Sequence, residues 1–204
     1  MKIAPLHERD IARAAEIFWT AFADEHASRY RGGARPAAFV DVWSFIRTVE
    51  PHGFIGAFVD GELAGYAIFV PSLRRVQREA IRTGAVLRWA WAALRGGFAL
   101  RLSAIPRIVA NKALFLRSAG AHRSKGDAQL INIAVLPAYQ GKGIATSLVS
   151  AGLEVMREMH VPEVRLEVRP WNETAVRVYR KTGWREAGRT RDVEGEWLVM
   201  VANP

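Results

Sequence analysis

The sequence predicts an α/β protein: a mixed central β-sheet with helices on both faces, carrying a largely helical insertion. Two observations point there. Short runs of aromatic and β-branched residues alternate with segments whose apolar residues recur at three- and four-residue steps. In chain order these read β, α, α, β, β, inserted segment, β, α, β, α, β, β, so hairpins alternate with helical crossovers and the sheet must mix directions.

Each element has its own reason. Lys2 to Pro5 reads as a short strand, and Asp10 as the N-cap of a helix in which Ile11, Ala14, Ala15, Phe18 and Phe22 keep helical spacing. A polar connection from Asp24 to Gly33 follows, and Pro36 sits where a second helix can begin, with Phe39, Val40, Trp43 and Ile46 on one side. Phe54 to Val59 and Leu63 to Val70 read as strands joined through Asp60 and Gly61, a strong hairpin signal. From Pro71 the chain reads mostly as helix as far as Gly96 and Gly97, with Val86, Leu87, Trp89, Ala90 and Leu94 as apolar surface. A second apolar and basic piece, Phe98 to Phe115, is interrupted by Pro106, and Ser118 to Asp127 reads as a polar exit. Leu130 to Val135 is a strand, Pro137 to Gly143 a turn, and Ile144 to Met159 a helix whose Leu148, Val149, Leu153 and Met156 share a side. Val164 to Val168 is a strand, Asn172 caps a helix that Gly183 ends, and Trp184 to Gly188 and Trp197 to Val201 close the sheet near Gly195.

At 204 residues, 50% hydrophobic and 24% charged, the chain buries a sizeable core without staples, and the expected organisation is one domain, 1–204, with 71–127 as the insertion. It has no cysteine, which excludes disulfides, thiolate metal sites and any route through an enzyme thioester. The first ten residues hold no continuous apolar core for a secretory signal. The longest stretch without Asp, Glu, Lys or Arg, Ala128 to Gly141, is fourteen residues, short of the ~20 needed to span a bilayer. A soluble, cytoplasmic chain is expected. The five histidines, His7, His26, His52, His122 and His160, show no pair at ligand spacing, so no metal is expected.

The net charge of +9 is unevenly placed. From Pro71 to Ala128 twelve Lys or Arg face two acids, a net of +10, while the remainder carries 17 against 18.

The stretch IAVLPAYQGKGIA, Ile133 to Ala145, runs from a strand through Gly141 and Gly143 directly into a helix. Glycine lets backbone approach an anion, and the free amides and positive end of the helix point to the same place, so a phosphate or pyrophosphate fits there. The two glycines would equally serve merely to tighten the loop. A P-loop is excluded because Ile144 and Ala145 follow Gly143, and no GxGxxG occurs.

With these residues the chain resembles the GNAT superfamily of N-acetyltransferases, whose pyrophosphate loop is matched by Gln140, Gly143 and Ala145. A second block, Leu166 to Trp184, matches the family's NxxAxxxYxxxG-aromatic pattern at Asn172, Ala175, Tyr179, Gly183 and Trp184, and LEVRPWNETAVRVY is similar to the ribosomal-protein-alanine acetyltransferases. Residues 71–128 have no counterpart in the minimal family pattern.

The resemblance implies acetyl-CoA as co-substrate and a primary amine, in a small molecule or at a peptide N-terminus, as acceptor, with direct transfer in a ternary complex. It places the pyrophosphate on the amides of Gly141, Lys142, Gly143, Ile144 and Ala145, with the Lys142 side chain at the rim. The pantetheine arm falls on the backbone of the Ile133, Ala134, Val135 strand and on Asn172, while Gln140 shapes the loop. Tyr179 would protonate or hydrogen-bond the departing sulfur, the alternative being a tyrosine packed on the sheet. Glu167, twelve residues earlier, matches the glutamate assigned as base in that subfamily; flanked by Arg165 and Arg169, it also reads as part of a surface charge ladder. Gln129 and Asn132 stand where many relatives carry an acid, and neither acts as a base at neutral pH. Asp24 and Glu25 could attract an ammonium or simply form a solvated loop.

Two other uses of the basic segment stay open beside the enzyme reading: an anionic partner, either nucleic acid or an acidic protein, and attachment to an anionic membrane surface. The segment could also cover the acceptor mouth, with Trp89 and Trp91 as core that seats it. A homodimer is compatible with the sequence.

Overall fold

The computed structural model describes residues 1–23, 37–95, 126–192 and 194–204. The expectations for Asp24 to Gly33, Pro36, Gly96, Gly97 and Phe98 to Phe115 lie outside the described residues, as does most of the exit after Ser118. Seven strands, β1 (Lys2–Pro5), β2 (Phe54–Val59), β3 (Glu62–Val70), β4 (Ala128–Val135), β5 (Val164–Val168), β6 (Arg185–Asp192) and β7 (Gly195–Ala202), form one sheet in the order β1-β2-β3-β4-β5-β7-β6. The described helices are α1 (Ile11–Ala21), α2 (Ala37–Val49), α3 (Leu73–Arg82), α4 (Ala85–Leu94), α5 (Ile144–Glu158) and α6 (Glu173–Lys181).

β3 is apolar after Glu62 and buried along its whole remaining length, as a strand covered on both faces must be. Phe69 and Ala67 join one core with Leu148, Val149 and Met156 of α5 and Val176 and Tyr179 of α6. Tyr66, Ile68 and Val70 join the other with Ile11, Ala14 and Ile17 of α1 and Trp43 and Ile46 of α2. The expected mixed sheet with helices on both faces is thus what forms. The β2–β3 hairpin closes through Asp60 at φ 51° and Gly61 at φ 86°, the left-handed pair a two-residue turn requires.

All neighbouring strands run antiparallel except β4 and β5, which are parallel and pair only at Ala128↔Val164 and Gln129↔Arg165. Beyond that point β4 stays on β3, with a register shift that leaves Ile131 as the extra residue between Leu130 and Asn132, and β5 stays on β7. The two strands part, and β4 presents an unpaired edge from Leu130 to Val135 on that side.

Two local expectations need correcting. Asp10 precedes α1 but makes no side-chain cap; its carboxylate accepts from the His7 amide at 2.8 Å inside a preceding 3-10 turn, Glu8–Asp10, so helical winding starts earlier. The helical stretch after Pro71 is two helices, because Gly84 adopts φ 71° and turns the chain between α3 and α4. Asp127 ties the two ends of this excursion together: its carboxylate accepts from the Arg74 amide (2.6 Å) and the Ser72 hydroxyl (3.0 Å), immediately before β4. Trp89 seats α4 on α2, donating to Asp41 at 2.6 Å with its ring edge-on to Phe45, whereas Trp91 is exposed.

α5 lies on β3 through Gly152, where an added Cβ would sit 1.9 Å from the buried Phe69 ring. Gly152→Ala is expected to lower stability by about 1–3 kcal/mol through overpacking, even though alanine is the better helix former by about 1 kcal/mol. A urea-unfolding midpoint at or above wild type would show that the ring yields.

Candidate functional site

The turn between β4 and α5 holds Gly141 at φ 75° and Gly143 at φ 78°, and Gly143 is the N-cap of α5 with no side chain to satisfy the helix end. The first-turn amides of Ile144, Ala145 and Thr146 therefore lack intrahelical acceptors and point outward with the positive end of the helix. A Cβ built on either glycine meets nothing within 4 Å, so the backbone faces open space. The Gln140 side-chain amide donates to the Val135 carbonyl at 3.1 Å, bracing the turn against the end of β4.

This turn, the end of β4 and the start of α6 surround a cavity of about 570 Å³. It brings together Ile133, Ala134, Val135, Gln140, Gly141, Gly143, Ile144, Ala145, Asn172 and Tyr179 from three separate stretches of sequence. Asn172 caps α6, its side-chain oxygen accepting from the Ala175 amide at 3.1 Å, which leaves its side-chain NH₂ as a donor at the cavity wall. Tyr179 is 7% exposed, and burial pushes its hydroxyl up to about 12, so the phenol stays protonated at neutral pH. Its ring leans on Trp184, with centroids 5.9 Å apart.

Two expected residues are not in this cavity. The Lys142 ammonium turns back onto its own loop, donating to the Ala138 carbonyl at 3.1 Å and lying over the Tyr139 ring. Glu167 projects from the other face of β5: Leu166 and Val168 share the core of Tyr179, and alternation sends Arg165 and Glu167 to the opposite side. The ladder expected at the surface is largely buried, with the Arg165, Glu167 and Arg169 side chains 10%, 19% and 10% exposed. Burial raises the Glu167 carboxyl above the usual carboxylate range; the hydrogen-bonded Arg165 guanidinium opposes that shift and Asp192 adds to it. Arg169 turns away to Asp192, with bonds of 2.9 and 3.1 Å, and stacks 3.8 Å from the Trp197 ring centroid. Glu167 nonetheless flanks the parting, because it follows the last β5 residue paired to β4 by two positions.

Several lining residues escaped the sequence reading as site residues: Phe22 at the end of α1, Tyr139, Thr146, Thr174 and Val178. Helical spacing from Asn172 through Ala175 to Tyr179 was the available signal for Val178. Asn132 is committed elsewhere, accepting from the fully buried Tyr66 hydroxyl, whose own pKa burial drives far above ordinary phenol.

The sequence pattern of the acetyltransferase (GNAT) family matches residues 13–184. An N-alpha-acetyltransferase of Sulfurisphaera tokodaii is 37% identical over 78 residues, 37% of this chain and 47% of that protein. The chain spans about half the length of the curated relatives it matches, or less. Among solved structures, an N-acetyltransferase from Staphylococcus aureus superposes with a TM-score of 0.65 at 20% identity, covering 99% of this chain and 100% of that one. A ribosomal-protein-alanine N-acetyltransferase from Brucella melitensis gives 0.60 at 14%, covering 100% of both. At such identities the likeness is one of fold.

Proposed function

Because the chain belongs to the acetyltransferase (GNAT) family, we propose that it transfers the acetyl group of acetyl-CoA to a primary amine, bound beside it where β4 and β5 part. The observation that carries this is the single cavity joining a helix N-terminus, a free strand edge and a protonated phenol. The residues present fit the donor: glycines whose missing Cβ atoms leave open space for a pyrophosphate, and a β4 edge able to pair with an amide-bearing arm. Acetyl-CoA supplies an activated thioester carbonyl.

The chain's own residues do the rest. Amides from Gly141 to Ala145 hold the pyrophosphate, and the backbone of Ile133, Ala134 and Val135 aligns the arm. Asn172 offers its NH₂ to the arm, and Gln140 keeps the loop in shape. The amine nitrogen attacks the carbonyl carbon, a C–N bond replaces the C–S bond, and two protons move. Tyr179 donates one to the sulfur, and Glu167, reaching the parting from the opposite face, accepts the one leaving nitrogen. Direct transfer in a ternary complex suits a chain with no cysteine to carry the acyl group. The names of the sequence relatives favour a peptide α-amine as acceptor over a small-molecule amine.

Gly143→Leu places a side chain where backbone must meet the anion, at a φ that leucine resists. CoA affinity should fall at least about tenfold, roughly 1.4 kcal/mol, and calorimetry showing unchanged binding to folded protein would remove the anion site from this turn. Tyr179→Phe should slow turnover by ~10²- to 10⁴-fold on a peptide-acceptor panel with CoA affinity nearly intact. Wild-type turnover would end its role. The proton acceptor must be ionised, so the rate should rise with pH through the elevated Glu167 pKa. Arg165→Met removes the group that lowers that pKa and should move the limb to higher pH, while Glu167→Gln should abolish it. Profiles unchanged in both variants would assign proton removal elsewhere.

A further inference from the structure

Five of the eight large apolar side chains exposed among the described residues sit on α3 and α4: Ile81, Val86, Leu87, Trp91 and Leu94. On α4 the positions divide by helical spacing. Ala85, Trp89 and Ala92 face the body, whereas Leu87, Trp91 and Leu94, four and then three residues apart, point away from it at 75%, 55% and 86% exposure. This is an amphipathic pattern inverted, with the outward side apolar. The same two helices carry exposed cations: Arg74 and Arg78, Arg82, which pairs with Glu79 at 2.7 Å, and Arg95, whose guanidinium lies 3.4 Å from the Trp91 ring centroid.

We propose that α3 and α4 dock this protein on an anionic lipid surface, with Leu87, Trp91 and Leu94 entering the headgroup–acyl boundary and the flanking arginines meeting lipid phosphates. This stands apart from the acetyl-transfer reading, since neither helix lines the cavity. Charge and polarity together select the occupant. A nucleic-acid backbone matches the cations but leaves protruding leucines in water, whereas a lipid interface takes both. The sequence from Gly96 to Lys125 brings six further Lys or Arg and no acid, which adds to the positive charge carried by this excursion. No helix among the described residues is long and apolar enough to cross a membrane.

Flotation of the full chain tests this with vesicles of phosphatidylcholine alone and with a third of phosphatidylglycerol, at low and high salt. Binding is expected to the anionic vesicles only, weakening with salt. Leu87→Asp with Leu94→Asp should reduce it at least about tenfold, and Arg74→Gln with Arg78→Gln about thirty-fold, from roughly fivefold per basic residue. Far-UV circular dichroism and melting check the folds. Should the aspartate variant unfold, Trp91→Phe serves instead: quenching of protein fluorescence by brominated lipid must fall when that indole is removed. Failure to bind anionic vesicles overturns the proposal, whatever covers the face. So does retention of a fluorescent oligo-dT without vesicle binding, or vesicle binding indifferent to the aspartates and to Trp91.

Discussion

The structure turns on a pairing that stops. β4 and β5 share two residue pairs and then separate, each held by its other neighbour, β3 for one and β7 for the other. A strand edge in the middle of a sheet leaves donors and acceptors that must find partners. Here they face a cavity instead of another strand, and the N-terminal ends of α5 and α6 open onto the same space. Three sources of polar backbone thus converge where apolar packing alone would have closed the gap. The surroundings keep the parting in place. Asp127 binds the chain one residue before the parallel contact begins, the bulge at Ile131 turns β4 away, and Gly152 lets α5 lie directly on Phe69.

Tyr179 and Glu167 stand on opposite faces of the sheet, on either side of the same parting. An intact sheet would separate them by a layer of backbone. Beyond Gln129 and Arg165 the strands diverge, and Glu167 flanks that gap from the face opposite Tyr179. Arg165 then matters beyond its charge. A buried guanidinium holding a buried carboxylate fixes orientation at a cost in desolvation, and its own Nε has no partner among the described residues. Such a pair is costly as a stability device and well suited to holding one carboxylate in place.

Most of this architecture was legible because it is local. Period-two runs, helical spacing, Asp60–Gly61 and the Asn172 cap act over a few residues, and each appears where the pattern set it. What escaped depends on non-local or competing terms. Nothing in the composition of β4 announces that it will leave β5 after Gln129, since strand register is set by neighbours. Lys142 reads as a rim cation because its charge is visible in sequence and the nearby Ala138 carbonyl and Tyr139 ring are not. Alternating Arg165, Glu167 and Arg169 read as a surface ladder because charge usually means exposure; here Asp192 and Trp197, more than twenty residues on, bury Arg169. Thr83 and Gly84 broke a helix that apolar spacing alone carried through.

Neither described helix of the basic excursion lines the cavity, yet a series of side-chain contacts through α2 links the two. Trp89 of α4 holds Asp41 and abuts Phe45 of α2. Two residues from each, and so on the other side of α2, Trp43 packs 5.3 Å from Tyr66, which is fully buried in β3. The Tyr66 hydroxyl binds Asn132, within the free edge of β4 and one residue before the cavity wall at Ile133. Asn132 gives the buried Tyr66 hydroxyl a neutral acceptor and so ties β4 to β3 without placing a charge beside a phenol that burial keeps protonated.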